Sequence, residues 1–443
     1  MQKLLAKAKN QEGQIMIKIG LLGCGTVGTG VVKLLAKNQE AIQKKAGQKV
    51  IISQVLEKDI SKCLALGIDQ NMITQQIEDI INDPDIEIVV ELIGGIEPAY
   101  SFIIEAMKKG KHVVTANKDL IAVKGKDLFQ VAEENGVDFC FEASVAGGIP
   151  IIGPLKQSLA GNNIEEVIGI LNGTTNYILT KMSNEGSSFE DVLKEAQELG
   201  YAEVDPTSDV GGWDAARKIA ILASIAFNSR VTLDDVYVEG ITKITARDIQ
   251  NAKDLGYVVK LLAIANEVNG RVQARVHPAF IPFNHPLAAV NDVFNAVFVR
   301  GDAVGEVMHY GRGAGEMPTA SAVVGDIIDI CRNILHHSNA RIGCTCYEEK
   351  PMLKIAELNA KFYIRMTVKD RPGVLAGIAG VFGNNDVSIA SVVQKTNDED
   401  NAELVLITHL TKEENLQDSL TVLKGMTIVK EVNNVIRLEG INR

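Results

Sequence analysis

The stretch IMIKIGLLGCGTVGTGVVKLLAK (15–37) runs from an apolar segment through a cluster of glycines into an amphipathic segment. Residues 15–23 read as a strand ending in glycine, and residues 27–45 as a helix. Between them Gly23-Cys24-Gly25-Thr26-Val27-Gly28 spell G-x-G-x-x-G. Alone that spacing is weak, but between a strand and a helix it marks a dinucleotide-binding βαβ unit. Gly23 permits the tight turn, Gly25 lets a pyrophosphate approach the main chain, and Gly28 lets helix lie close on strand. Thr26 and Val27 open the helix whose N–H groups would face the phosphates.

Working outward, the same rhythm continues. Residues 49–57, 86–94, 111–117 and 137–144 read as strands, and 99–110 and 126–136 as helices stopped by Gly110 and Gly136. The alternation predicts an α/β class with a Rossmann-type, doubly wound parallel sheet over residues 1–144. The second strand ends in Glu57-Lys58-Asp59. An acid there suits the free 2′-hydroxyl of NAD, and a cation suits the 2′-phosphate of NADP. Both charges are present, so either cofactor fits and Lys58 is the deciding residue.

A chain of 443 residues exceeds one ordinary core. Residues 145–317 carry a mixed pattern, expected to be an α+β substrate and dimerisation domain. A helix at 318–335 is expected to pack back on the first domain, and 340–358 reads as a linker. Residues 359–443 follow a βαββαβ pattern, a small ferredoxin-like domain. The net charge of −11 gives no electrostatic support for nucleic-acid binding. No apolar run approaches the roughly 20 residues of a membrane helix, and MQKLLAKAKNQEGQ (1–14) lacks the apolar core of a secretory signal. A cytoplasmic protein is expected. Six cysteines are scattered along the chain, and Cys344-Thr345-Cys346 is a C-x-C with too few companions for a metal site.

The chemistry concentrates in ELGYAEVDPTSDVGGWDAARKIAILA (198–223). Asp214 and Lys218 are four apart on an expected helix and share a face. On a surface such a pair contributes only about 0.3 kcal/mol. Here the next residues are apolar, so the helix is expected to be buried, and a buried lysine needs a carboxylate partner. Glu203, Asp205 and Asp209 lie just before it. One lysine among carboxylates at a helix mouth suits proton transfer and the holding of an ammonium group. Trp213 reads as core or wall.

This stretch resembles the signature of the homoserine dehydrogenase family through Ala196, Gly200-Tyr201-Ala202, Asp205-Pro206, Asp209-Val210, Gly212, Asp214 and Lys218. VELIGG, VVTANKDLIA, FEASVAGGIPII, GILNGTTNYIL and YGRGAGEMPTASAV resemble the same family in the same order. VKDRPGVLAGIAGVF resembles the ACT regulatory domain. The resemblance implies NAD(P)-dependent interconversion of L-homoserine and L-aspartate 4-semialdehyde, within threonine, methionine and isoleucine biosynthesis. It implies Lys218 as proton donor and acceptor, with Asp214, Glu203 and Lys118 at the substrate and Lys118 also near the cofactor. Tyr201, Thr174 and Gly173 would line the substrate, and Gly94, Gly200 and Gly315 would contact the cofactor. A monovalent cation, Na+ or K+, would sit on Glu142, Val145, Gly147 and Ile149, all but Glu142 acting through main-chain carbonyls. L-Threonine would inhibit through Asn384, Asn385 and Asp386, and a homodimer or homotetramer is expected.

Two other readings compete. An aspartate-semialdehyde dehydrogenase needs a nucleophilic cysteine beside a base, and none of the six cysteines has that context. A non-catalytic amino-acid sensor would keep its ligand response after Lys218→Ala, whereas an enzyme would lose turnover.

Overall fold

The computed structural model describes residues 16–396 and 400–440. The reading of residues 1–14 and the strand position of Ile15 lie outside them. Contacts divide the chain into two units. One comprises the chain through Glu165 with Ala220–Leu233 and Asn295–Glu349; the other comprises Glu166–Ile219, Asp234–Phe294 and the chain from Lys350 onward.

The first unit is built on six strands: β1 (Met16–Leu22), β2 (Lys49–Leu56), β3 (Ile73–Thr74), β4 (Ile86–Glu91), β5 (His112–Thr115) and β6 (Phe139–Cys140). Their order is β3-β2-β1-β4-β5-β6 and their pairings are parallel. This is the doubly wound order, whose reversal beside β1 creates the crevice that takes a dinucleotide. Ile17, Ile19 and Leu21 of β1 and Ile88 and Val90 of β4 are buried together with Val323, Ile327 and Ile330 of the helix Glu316–Leu335. That helix packs against Thr26–Lys37 at Gly30, where a Cβ would lie 2.4 Å from Glu316 O. Glycine at 30 is what allows the two backbones to approach.

Three expected elements differ in extent. The helix over 27–45 is two helices, Thr26–Lys37 and Gln39–Ala46, broken at Asn38, a residue whose side chain competes with helical hydrogen bonds. The helix expected at 126–136 starts at Lys118, because the Asn117 side chain caps Leu120 N at 3.1 Å. The strand expected at 137–144 is only Phe139–Cys140. The chain leaves it at Phe141 for a 3-10 turn, closed by Ser144 Oγ donating to Phe141 O at 2.6 Å.

The second unit centres on β9 (Tyr257–Val268) and β10 (Arg271–Pro282), after β7 (Ile164–Ile170) and β8 (Val236–Val238). β9 and β10 form a long hairpin closed by Asn269-Gly270. Both turn residues have positive φ, 52° and 76°, the twist a two-residue hairpin prefers. β7 pairs antiparallel with β9, and β8 pairs parallel with β10. The C-terminal strand Val429–Leu438 also joins β10, through Ala279–Arg437 and Phe280–Leu438.

Residues 359–438 have the expected βαββαβ order. The strands Asn359–Lys369, Ile389–Thr396, Asn401–Thr408 and Val429–Leu438 carry the helices Val374–Asn384 and Glu413–Lys424. Phe362, Ile364, Met366, Ile378, Phe382, Leu404, Leu416 and Leu420 form their core. The helix Val374–Asn384 is preceded by Gly373 with φ 87° and has no side-chain cap; Asp370, which by its place before Pro372-Gly373 is a candidate cap, accepts from Gln394 Nε2 at 3.2 Å. Polar contacts tie this sheet to the helix Ala246–Asp254. Asp248, fully buried, accepts from Arg365 Nε at 2.7 Å, Asn434 Nδ2 at 2.9 Å and Tyr363 Oη at 3.2 Å. No helix among the described residues is long and apolar enough to cross a membrane.

Candidate active site

In the first unit the glycine turn has the shape its spacing implies. Gly23 has φ 97°, and a Cβ there would meet Leu92 O at 2.9 Å; a Cβ at Gly28 would meet Gly23 O at 2.1 Å. A Cβ at Gly25 would meet nothing within 4 Å. Gly25 therefore borders open space, as a main chain that receives a pyrophosphate must. It is also the N-cap of Thr26–Lys37 and supplies no side-chain partner to the first N–H groups. These residues fit a dinucleotide by shape and by the dipole of the helix they open.

At the end of β2, Glu57 Oε2 accepts from Cys24 N at 2.8 Å and Glu57 Oε1 from Asp59 N at 3.1 Å. The acid thus braces the glycine turn, with Lys58 and Asp59 exposed beside it.

The turn after β4 is organised by a residue the sequence reading missed. Glu91 is fully buried. Its Oε1 accepts from Ile93 N at 2.8 Å and Gly94 N at 3.0 Å, and its Oε2 from Thr115 Oγ1 at 2.7 Å. Asn117 Nδ2 donates to Gly95 O at 2.6 Å and its Oδ1 caps the helix that Lys118 begins. One carboxylate therefore fixes the turn holding Gly94, and one amide joins that turn to Lys118. The available signal was a charged residue closing the apolar run Ile88–Val90 at the end of the strand.

In the second unit the expected lysine–carboxylate pair is formed. Lys218 Nζ lies 2.7 Å from Asp214 Oδ2, and the two side chains are 11% and 10% exposed. Lys218 Nζ also donates to Leu171 O at 2.8 Å. Asn172, unassigned from sequence, bridges the cluster. Its Nδ2 donates to Asp214 Oδ2 at 2.9 Å and to Asp209 Oδ1 at 2.7 Å. Its Oδ1 accepts from Thr175 N at 2.9 Å and caps the helix Gly173–Glu185. Burial, with the Asp214 charge adding to it, pushes the Asp209 carboxyl above its usual range, against the Asn172 hydrogen bond. Asp205 has a local role, accepting from Thr207 N and Oγ1 at 3.1 and 2.6 Å.

Thr174 Oγ1 donates to Tyr201 O at 2.6 Å, and the rings of Tyr177 and Tyr201 meet edge-on at 5.0 Å. Gly200, with φ 74°, ends the preceding helix and releases Tyr201 and Glu203 to the surface. Trp213 is 43% exposed, a surface wall and not core. Gly315 has φ 125° and precedes the helix Glu316–Leu335 in the first unit.

The Glu142 carboxylate, expected to face a cation, faces main-chain amides. It accepts from Ile151 N at 2.6 Å, Ile152 N at 2.8 Å and Gly153 N at 2.6 Å. Val145, Gly147 and Ile149 lie on the turn that follows, where Ala146 and Gly147 have φ 57° and 52°. Asn384, Asn385 and Asp386 form the C-terminal turn of the helix Val374–Asn384; Asn385 Nδ2 donates to Val381 O at 2.8 Å and Asp386 has φ 57°.

A doubly wound sheet, an open glycine turn and a lysine held by a carboxylate are the equipment of a nicotinamide-dependent dehydrogenase. Family models for "Homoserine dehydrogenase, NAD binding domain", "Homoserine dehydrogenase" and "ACT domain" match residues 23–142, 150–328 and 362–425. Homoserine dehydrogenase of Bacillus subtilis is 46% identical over 433 residues, covering 96% of this chain and 98% of that protein. The crystal structure of a homoserine dehydrogenase from Thiobacillus denitrificans superposes with a TM-score of 0.91 at 42% identity, covering 96% of this chain and 99% of that one. A hyperthermophilic archaeal homoserine dehydrogenase, solved in complex with NADPH, is 28% identical with a TM-score of 0.62 and covers 73% of this chain and 99% of its own. The chain belongs to the homoserine dehydrogenase family, NAD(P)-dependent oxidoreductases, and carries a C-terminal ACT domain.

Proposed function

We propose that the chain interconverts L-homoserine and L-aspartate 4-semialdehyde with Lys218 exchanging the hydroxyl proton. The observation that carries this is the Lys218–Asp214 pair braced by Asn172. A lysine ammonium has three N–H bonds. Two are committed to Leu171 O and Asp214 Oδ2, so the third position is the one to meet a substrate hydroxyl. In the oxidation the neutral amine takes the hydroxyl proton as hydride leaves C4; in the reverse direction the ammonium returns it. Bound NAD(P) supplies the hydride acceptor.

Asp214 and Glu203 hold the substrate ammonium, and Tyr201, Thr174 and Gly173 line its site. In the first unit Lys118 meets the substrate, and Gly23, Gly25, Thr26, Val27, Gly28, Gly94 and Lys58 take the cofactor, with Gly200 and Gly315 adding contacts. Lys58 favours NADP by charge. A monovalent cation, Na+ or K+, would rest on main-chain carbonyls of Val145, Gly147 and Ile149, with Glu142 fixing the neighbouring loop through the amides it binds. Functionally the chain divides into a cofactor region (1–144), a substrate and dimerisation region (145–317) and a linker (340–358). The final region (359–443) binds L-threonine as inhibitor at the Asn384–Asp386 turn. The assembly is a cytoplasmic homodimer or homotetramer.

The test is nicotinamide reduction by the purified protein with L-homoserine, run separately with NAD and NADP, with and without L-threonine. Turnover, faster with NADP and slowed by threonine, is expected. Folded protein that turns over with neither cofactor would favour the sensor reading. Turnover indifferent to threonine would remove the effector assignment alone.

A further inference from the structure

The C-x-C of Cys344 and Cys346 lies outside the catalytic cluster, in a cavity of the first unit. The cavity is lined by Phe129, Phe141, Lys156, Ser224 and Arg230 as well as the two cysteines. Its interior of about 20 Å³ admits a water-sized molecule and excludes an organic ligand. Two cations face the thiols. Arg230 Nη2 donates to Cys344 Sγ at 3.4 Å. Lys156 Nζ stands 5.1 Å over the rings of both Phe129 and Phe141 and donates to Gly343 O at 3.1 Å. Cys346 Sγ lies 3.5 Å from Ser224 O, a second acceptor beside Cys344 for its one S–H proton. The loop is pinned on both sides: Asn228 Nδ2 donates to Thr345 O at 3.0 Å, and Glu348 N to Asn228 O at 2.9 Å. Both cysteines are partly accessible. Thr345 Oγ1, between them, is buried with no partner among the described residues.

Among the described residues no group of three metal-ligating side chains occurs, and two flanking cations oppose a metal. They favour an anionic sulfur. The hydrogen bond from Cys346, then Arg230 and Lys156, lower the Cys344 thiol against the opposing effect of burial, while the same contact and burial raise Cys346. The geometry agrees on which sulfur is the anion, since Arg230 lies at Cys344.

We propose that Cys344 and Cys346 form a reversible oxidation site in which Cys344 reacts with hydrogen peroxide and Cys346 resolves the product to a disulfide. The Cys344 thiolate attacks one peroxide oxygen. The O–O bond breaks, the sulfur is oxidised to sulfenic acid, and the departing hydroxide takes from solvent the proton that Cys344 released on ionising, becoming water. Cys346 sulfur then attacks Cys344 sulfur; the S–S bond forms, the S–O bond breaks, and the departing hydroxide takes the Cys346 proton as water. In sum two thiols and one hydrogen peroxide give one disulfide and two waters. A ring closed over one intervening residue is small and strained, which favours reduction back by a dithiol.

The test treats the reduced, full-length protein with hydrogen peroxide and reads the Cys344–Cys346 peptide by mass. The peptide should become lighter by two hydrogens, and dithiothreitol should restore it. In Cys346→Ser, dimedone should label Cys344; in Cys344→Ser, dimedone should leave residue 346 unlabelled. A measurement without any variant uses iodoacetamide on the folded wild type near pH 6, with Cys140, the other thiol near Lys156, as an internal comparison. Cys344 should label at least about tenfold faster than the remaining cysteines, as a thiolate at a pH that keeps ordinary thiols protonated. Labelling of Cys344 no faster than theirs would overturn the proposal. So would a dimedone adduct on Cys346, or peroxide oxidation that spares this peptide.

Discussion

Asn172 shows how one uncharged side chain can set the state of three charged ones. Its amide joins Asp209 and Asp214, and Asp214 in turn holds Lys218. Asp209 bears the cost of that arrangement, because burial raises its carboxyl above the usual range. A raised carboxyl binds its proton more tightly in the folded chain than in the unfolded one. Its contribution to stability is complete below the unfolded value and is lost as pH rises through the folded one. At neutral pH the ionised Asp209 is therefore a destabilising charge kept for the site. Asp209→Asn should raise the melting midpoint at pH 7 by about 1–3 °C and lose that gain in acid, while kcat/KM falls about tenfold through the weakened cluster. Calorimetry at the two pH values and steady-state kinetics check both parts; an unchanged midpoint with unchanged kinetics would remove Asp209 from the site.

At the scale of the element, the glycine turn separates shape from binding. Gly25 borders open space, whereas Gly28 lies against Gly23 O. Gly25→Ala should leave the melting midpoint alone and raise KM for the cofactor at least about tenfold, since the methyl group fills the face where the pyrophosphate runs. Gly28→Ala forces main chain apart and should lower stability by about 1–3 kcal/mol. Thermal melts beside cofactor titrations distinguish the two, and a destabilised Gly25→Ala would mean the open face is not a ligand face. The join between the helix Ala246–Asp254 and the C-terminal sheet gives a second case. Arg365, Asn434 and Thr245 hold the Asp248 carboxyl below its usual range although burial pushes it up. Stability from a depressed carboxyl is present above the unfolded value and is lost as pH falls through the folded one. Arg365→Leu should cost about 3 kcal/mol at neutral pH, the toll of stranding a buried charge, and should lessen the loss of stability in acid. Urea titrations at neutral and acid pH would show it; a cost below about 0.5 kcal/mol is what a dispensable surface pair would give.

At the scale of the molecule, what was legible in sequence is what repeats or spaces regularly. The G-x-G-x-x-G turn, the strands β1, β2, β4 and β5 with the helices after β1, β4 and β5, and the βαββαβ order after residue 358 follow from periodicity and punctuation, whereas the two-residue β3 did not. The Asp214–Lys218 pair was legible because four residues make one helical face. Glu91 and Asn172 were not, because their partners Thr115 and Asp209 are brought to them only by the fold. The strand expected at 137–144 failed for a related reason: Phe141 is apolar enough for a strand, and the turn after it is set by Ser144 and by Glu142 binding the amides of 151–153. The join of Val429–Leu438 to β10 was hidden as well, since two strands far apart in sequence carry no shared signal of pairing.

The most direct measurement is the rate of NADP reduction with L-homoserine by the wild type and by Lys218→Met, with folding matched by circular dichroism. Lys218→Met should lose about 10²–10⁴ in kcat, the range of a lost proton-transfer group, with KM for the cofactor within about twofold. A variant that keeps its rate within about twofold of the wild type would show that Lys218 neither takes nor gives the proton.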